Sequence, residues 1–341
     1  MRYRTYGAGV MCVVLCVVTL SYIYSLRNAA REAALSSFQA SRVIMAYQQS
    51  VAKKLKDQKY SMLFVGDIML SRSVAKKIYE SGNPLFPFLE SADFLRSADI
   101  TFGNLEGPIS ERGTNQGSVY SFRDDPKTVD ALTYAGFDVM SLANNHILDW
   151  GNVALQDTLE LLHDRGIQTI GAGRNDAEAN AAAIVKLGNA KIAFLGYTKT
   201  YPKTLKATPR SGGISDFDEG RIKKVIEEAK RLADIVVVSF HWGVEYRKRS
   251  TLEQQNLAHS MIDWGADIIV GHHPHVVEEV ERYKNGWIAY SLGNFVFDQD
   301  FSRETMESIA LKATIKNKKI VDIVSIPINI NSDFQPHPVG L

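Results

Sequence analysis

From Ser61 onward the chain alternates short apolar runs with amphipathic segments, and this alternation restricts the fold more than any other feature. Met62-Leu63-Phe64-Val65, Asp138-Val139-Met140-Ser141-Leu142, Gln168-Thr169-Ile170, Ile192-Ala193-Phe194-Leu195, Ile235-Val236-Val237-Val238-Ser239-Phe240 and Ile268-Ile269-Val270 read as buried strands. Between them, Ile222, Val225, Ile226, Ala229 and Leu232 recur at helical spacing, and Leu155, Leu159 and Leu162 form a second stripe. Strands alternating with helices predict one α/β domain over residues 59–341, large enough for an extensive core and without internal repeats.

The N-terminus reads differently. Thr5 to Leu26 carries no charge and contains the run Val10 to Val18, long enough as a helix to span a bilayer. A transmembrane anchor is expected over 1–26. The competing reading is a secretory signal peptide, with Arg2 and Arg4 as its basic end and cleavage near Asn28-Ala29-Ala30; the apolar run is long for that role. Arg2 and Arg4 face Arg27 and Arg31 across the span, so charge alone does not orient it. Residues 27–58 contain neither Gly nor Pro and predict a helical stalk. Cys12 and Cys16 are the chain's two cysteines, so the body beyond them has no disulfide and no thiolate ligand. A formal charge of +1 implies no nucleic-acid or other polyanion coating.

The chemistry-bearing residues sit where the strands end, the side on which α/β sheets open their ligand crevice. Gly66-Asp67 follows the first strand, and Gly103-Asn104-Leu105-Glu106-Gly107 follows Ile100-Thr101-Phe102. Asn144-Asn145-His146, His241-Trp242-Gly243-Val244-Glu245 and Gly271-His272-His273-Pro274-His275 follow three others. Singly, each has a plainer explanation. Asp67 could cap a helix through Ser71 and Val74, and Asn104 and Glu106 could be turn residues. Asn144-Asn145 could be a tight connection, and His241 a hydrogen-bonded core residue. Jointly they point elsewhere. Five of the eight histidines fall at strand ends, while His163, His259 and His337 lie on helices or the tail. Imidazole and carboxylate without sulfur suit Mn²⁺, Fe, Zn²⁺ or Mg²⁺ better than Cu(I).

These motifs, with Asn145-His146-Ile147-Leu148-Asp149-Trp150-Gly151, His273-Pro274-His275-Val276 and Tyr290-Ser291-Leu292-Gly293-Asn294-Phe295, resemble in content and order those of the CapA/PgsA family. The resemblance implies a calcineurin-like metallophosphoesterase fold, a four-layer αββα sandwich of two mixed sheets. It implies one or two divalent metals, with Asp67, Glu106, Asn145, His241, His273 and His275 as ligands, His272 off the metal, and His146 as the catalytic proton donor. Asn104, Asn144, Asp149, Glu245 and Asn294 would support these or touch substrate. Two departures weaken one metal position: Met69 stands where the superfamily's Asp-x-His has histidine, and Gly103-Asn104 replaces Gly-Asp. The same resemblance implies a single-pass membrane protein with its body outside the cell, working with poly-γ-glutamate ligase and membrane subunits on an anionic polymer. The alternative is an independent cell-surface metallohydrolase, with His146 protonating the leaving group of a phosphoester.

Overall fold

A computed structural model describes the backbone of residues 5–201 and 203–340, and the side chains of these except 5–16, 49–57 and 203. The chain divides into two compact units at Gln58/Lys59. Helix α1 (Thr5–Asp57) makes up the first. With no proline anywhere in it, the helix runs unbroken through the expected boundary between anchor and stalk. At about 1.5 Å per residue it is about 80 Å long. Residues 1–4 of the expected anchor lie outside the described residues, as do the side chains of 5–16. Among the described residues no helix is long and apolar enough to cross a membrane.

The second unit opens with β1 (Lys59–Ile68), α2 (Arg72–Ser81), α3 (Ala92–Arg96), β2 (Ile100–Leu105), α4 (Thr128–Ala135), β3 (Val139–Ser141), α5 (Gly151–Asp164) and β4 (Gln168–Ile170). Next come β5 (Ala172–Gly173), α6 (Asp176–Ala179), β6 (Ala183–Leu187), β7 (Ala190–Thr198), β8 (Gly213–Ile214), α7 (Glu219–Leu232), β9 (Ile235–His241), α8 (Leu252–Asp263) and β10 (Ile268–His272). The chain closes with β11 (Val280–Tyr283), β12 (Gly286–Ala289), β13 (Asn294–Val296), β14 (Glu307–Lys316), β15 (Lys319–Ile330) and β16 (Pro336–Pro338).

Two large mixed sheets result, beside a two-stranded pair of β5 and β8. One has the order β16-β15-β14-β1-β2-β3-β4, with β13 also paired to β1; the other runs β11-β12-β10-β9-β7-β6. Alternation along the strands explains why they stack. Met62 and Phe64 of β1 face the same way as Ile100 and Phe102 of β2, and meet Phe194, Ile235, Val237, Ile268 and Val270 of the other sheet in one core. The intervening Leu63 and Val65 turn outward onto Val74, Leu132, Leu155, Leu159 and Leu162 of the helices covering the first sheet. On the second sheet, Val236 and Val238 turn outward onto Ile222 and Ile226 of α7 and Met261 of α8. Helix, sheet, sheet and helix are thus held by three apolar layers, the αββα sandwich expected from the resemblance. The β14–β15 hairpin, absent from the sequence-based strand assignment, extends the first sheet beyond β1.

Parallel pairing brings strand ends together. Asp67 lies opposite both Asn104 and Asn294, and His241 lies opposite His272. Two backbones approach so closely here that a side chain has no room. A Cβ at Gly66 would stand 1.9 Å from the Gly293 carbonyl oxygen, and one at Gly271 would stand 1.8 Å from that of Tyr290.

Candidate functional site

Asp67 is at the centre of the cluster formed by these strand ends, and it is fully buried. Its Oδ1 accepts from Asn104 Nδ2 at 2.9 Å and from His272 Nδ1 at 2.9 Å. Its Oδ2 accepts from the His273 backbone N–H at 3.1 Å and lies 3.5 Å from His275 Nδ1. Burial pushes this carboxyl up, but the hydrogen bonds from His272 and His275 outweigh it and hold Asp67 well below the usual carboxylate range. The helix-cap alternative does not hold: the residue preceding α2 is Ser71, and Asp67 belongs to β1.

Glu106, directly after β2, is also fully buried. Its Oε1 stands 3.5 Å from both Asn104 Nδ2 and His241 Nε2, and its Oε2 has no partner among the described residues. Burial, and then the negative charge of Asp67, raise it well above the usual range. His241 is held neutral by burial and by neighbouring His273. Its Nδ1 lies 3.4 Å from Asn104 Nδ2 and its Nε2 lies 2.7 Å from Asn145 Oδ1, which fits acceptance at Nδ1 and donation at Nε2. His273 is pushed down to about 4 by burial and by His275. His275 goes the other way: burial opposes its charge, but Glu106 and Asp67 raise it to about 9.

One ligand atom from each of Asp67, Glu106 and His275 lies within 4.8 Å of the others, and the same holds for Glu245, His273 and His275. His275 is common to both groups. The buried atoms Glu106 Oε2 and His273 Nδ1 lack partners among the described residues. Such orphaned groups each cost about 1–3 kcal/mol, and a divalent ion with nitrogen and oxygen ligands would satisfy them. The donor set therefore fits a metal.

The remaining expected residues sort into supports. Asn144 donates to the Leu105 carbonyl at 2.7 Å and accepts from the backbone of His146 and Ile147, holding the loop after β3 against β2. His146 Nδ1 donates to Asp149 Oδ2 at 2.8 Å, and Asp149 is fixed in turn by the Phe122 backbone N–H. Asn294 Oδ1 accepts from His275 Nδ1 at 2.9 Å, while Nδ2 donates to Gln299 and to the Thr305 carbonyl. Glu245, expected to support the ligands or touch substrate, is exposed and has a carboxylate oxygen within 4.8 Å of ligand atoms of His273 and His275. His272 is not idle: it orients Asp67. Met69 is buried in the outer core of the first sheet, its sulfur accepting from Ser71 Oγ at 2.9 Å. His259 pairs with Glu281 at 3.0 Å, and His337 lies 3.5 Å from Glu90.

A cavity of about 190 Å³ opens beside His146, Glu245 and His275, and it is also lined by Arg72, Tyr120 and Asp298. Sequence reasoning missed these three. They belong to no motif, and nothing in the sequence marks the left-handed backbone of Arg72 (φ 53°).

Glu278, three residues beyond His275, is buried with Oε2 accepting from Gln254 Nε2 at 2.9 Å and Oε1 unpartnered among the described residues. Burial, opposed by that hydrogen bond, lifts it from the usual 4.5 to about 7. Between those values the folded chain keeps a proton that the unfolded chain releases. Stability therefore falls as pH rises through that window and stays lower above it. Glu278→Gln is expected to remove this slope and to add up to about 3 kcal/mol at pH 8. Urea unfolding at pH 5 and pH 8 checks this; equal slopes in both proteins would refute it.

Residues 61–299 match the family described as bacterial capsule synthesis protein PGA_cap. The capsule biosynthesis protein CapA of Bacillus anthracis is 34% identical over 295 residues, covering 84% of this chain and 71% of that relative. The PGA biosynthesis protein CapA of Bacillus subtilis (strain 168) is 36% identical over 291 residues, covering 84% and 76%. Among solved structures, a novel phosphatase from Mycoplasma pneumoniae superposes with a TM-score of 0.50 at 14% identity, over 80% of this chain and 94% of that one. That likeness shows the fold alone.

Proposed function

This chain belongs to the bacterial capsule synthesis protein family, and from that premise we propose that it is a membrane-anchored accessory protein of capsular poly-γ-glutamate synthesis or export. Its N-terminal segment holds it in the cell membrane, with the α/β body outside, beside a ligase and membrane subunits. The strand-end cluster holds one or two divalent ions, Mn, Fe, Zn or Mg, where carboxylates of the polymer or a phosphorylated group bind. The observation that carries the reading is Glu106: a fully buried carboxyl with an unpaired oxygen, between Asp67 and the neutral imidazole of His241.

Asp67, Glu106 and His275 would hold one ion, and His273 and Glu245 would extend the site toward solvent, with His241 and Asn145 closing it from the β3 and β9 side. When bound, the ion would supply positive charge and Lewis acidity at the cluster beside the cavity. The chain's own residues do the positioning. His272 and the His273 backbone N–H aim Asp67, Asn104 bridges Asp67 to Glu106, and Asn294 aims His275.

One observation favours the hydrolase reading. His146 lines the cavity with its Nδ1 held by Asp149, leaving Nε2 to exchange a proton with a leaving group.

Elemental analysis tests the metal. The purified protein, loaded at neutral pH, is expected to retain one or two equivalents of divalent ion, and the His273→Ala, His275→Ala double variant none. A wild-type protein without metal after loading would overturn the reading. In cells, Glu106→Ala is expected to abolish capsular polymer at normal protein levels.

A further inference from the structure

The cavity beside the cluster has a cation of its own. Arg72, the first residue of α2, is half-exposed, and its Nε lies 3.3 Å from Asp298 Oδ2, whose carboxylate is buried. The Ser73 backbone N–H also donates to that oxygen, at 3.0 Å, so Asp298 is anchored independently of Arg72 and serves to aim it. The guanidinium carbon stands 5.6 Å from the centre of the Phe122 ring and 5.8 Å from that of Tyr120. Among the described residues neither terminal nitrogen makes a hydrogen bond to protein, and with Nε turned to Asp298 the edge formed by those two nitrogens faces the cavity side for a second carboxylate.

The backbone singles out the same place. Eight non-glycine residues have a left-handed φ among the described residues, and four surround this cavity and the donors below it: Arg72 (53°), Tyr246 (62°), His273 (96°) and His275 (59°). Each such position is costly for an L residue, and their concentration here is the pattern of a site held open for a ligand. The rim is apolar. Tyr120 and Phe301 are each about two-thirds exposed, and Phe301 packs edge-on against Tyr246.

We propose that Arg72 is a carboxylate-reading residue. It would take the free carboxylate of a chain unit next to the one at the metal cluster, with the aromatic rim packing the methylene stem between them. The ligand class is a flexible anionic chain with carboxylates separated by short apolar spacers. This deepens the function proposed above and rests on it. A guanidinium offers a carboxylate two parallel N–H donors, and a lysine cannot reproduce that fork. Aromatic faces accommodate methylene groups without demanding a sequence.

The left-handed backbone supplies the control, because glycine adopts φ 53° freely. Arg72→Gly thus removes the guanidinium while relaxing the fold. The experiment is calorimetric titration of metal-loaded, full-length protein with γ-linked tetraglutamate and, in a separate arm, with phenyl phosphate. Arg72→Gly is expected to bind the tetraglutamate about 10- to 100-fold more weakly, with metal content unchanged and melting temperature equal or higher; Arg72→Lys is expected to lose about tenfold. Affinity of Arg72→Gly within threefold of wild type overturns the inference, as does a wild type that does not bind the oligomer. Dependence on Arg72 in the phosphate arm alone overturns the carboxylate assignment. The metal reading stands or falls separately. Metal present with a neutral Arg72→Gly sinks only this inference, and metal absent with a weakened Arg72→Gly sinks only the metal.

Discussion

Gly271→Ala is expected to yield no soluble folded protein, although it adds a single methyl group. The new Cβ would stand 1.8 Å from the Tyr290 carbonyl oxygen, 2.5 Å from its carbon and 2.7 Å from Trp242 Nε1. Trp242 Nε1 donates to that same oxygen at 2.9 Å, and the Leu292 backbone N–H donates to the Gly271 carbonyl at 3.2 Å. The clash is with backbone rather than a rotatable side chain, so β10 must part from the segment leading to β13. Overpacking of this kind exceeds the usual 1–3 kcal/mol, and a loss above about 4 kcal/mol consumes most of an ordinary stability margin. Gly220→Ala is the contrast: near the start of α7, its nearest neighbour would be Asp218 Oδ1 at 3.4 Å. It is expected to leave the melting temperature unchanged or raise it. Soluble Gly271→Ala protein with a wild-type melting curve would show that the strands can separate locally without cost.

His146→Ala has the largest expected effect on chemistry. In the metal-loaded wild type, hydrolysis of an aryl phosphate is expected to fall by about 10² to 10⁴ in the variant, with metal content and unfolding midpoint kept. The expectation follows from position: the imidazole lines the cavity, and its other nitrogen is fixed by Asp149. A wild type with no hydrolysis, together with normal polymer from cells carrying His146→Ala, would remove the hydrolase reading and leave Glu106 and the histidine ligands as a binding device. Loss of metal in His146→Ala would assign the residue to holding Asn145 instead.

The sandwich was readable because buried strands in a parallel array must be apolar on both faces, which made runs such as Ile235 to Phe240 conspicuous. The β14–β15 hairpin escaped for the opposite reason. Most of β15 is exposed or half-exposed and carries Lys319, Asp322 and Ser325 among its apolar residues, so its pattern fits neither a buried run nor strict alternation. In the cluster, the family resemblance grouped Asp67, Glu106, Asn145, His241, His273 and His275, all near strand ends, and the structure brings them together. Sequence order could not reveal the direction of a side chain. The sequence therefore left open whether Glu245 supports the ligands or touches substrate, and it placed His272 off the metal without showing that its Nδ1 meets Asp67. Arg72 and Asp298 are 226 positions apart and meet only because β1 pairs with β13.

The cluster draws Asp67 and Glu106 from one sheet and His241, His273 and His275 from the other. An ion held among them would rivet the two halves of the sandwich in a body without a single cysteine. Ligand held at a hundred times its dissociation constant adds about 2.7 kcal/mol to folding. Metal supply would then govern how long each copy survives, and starvation for that ion would retire the protein by loosening it before any question of turnover arose.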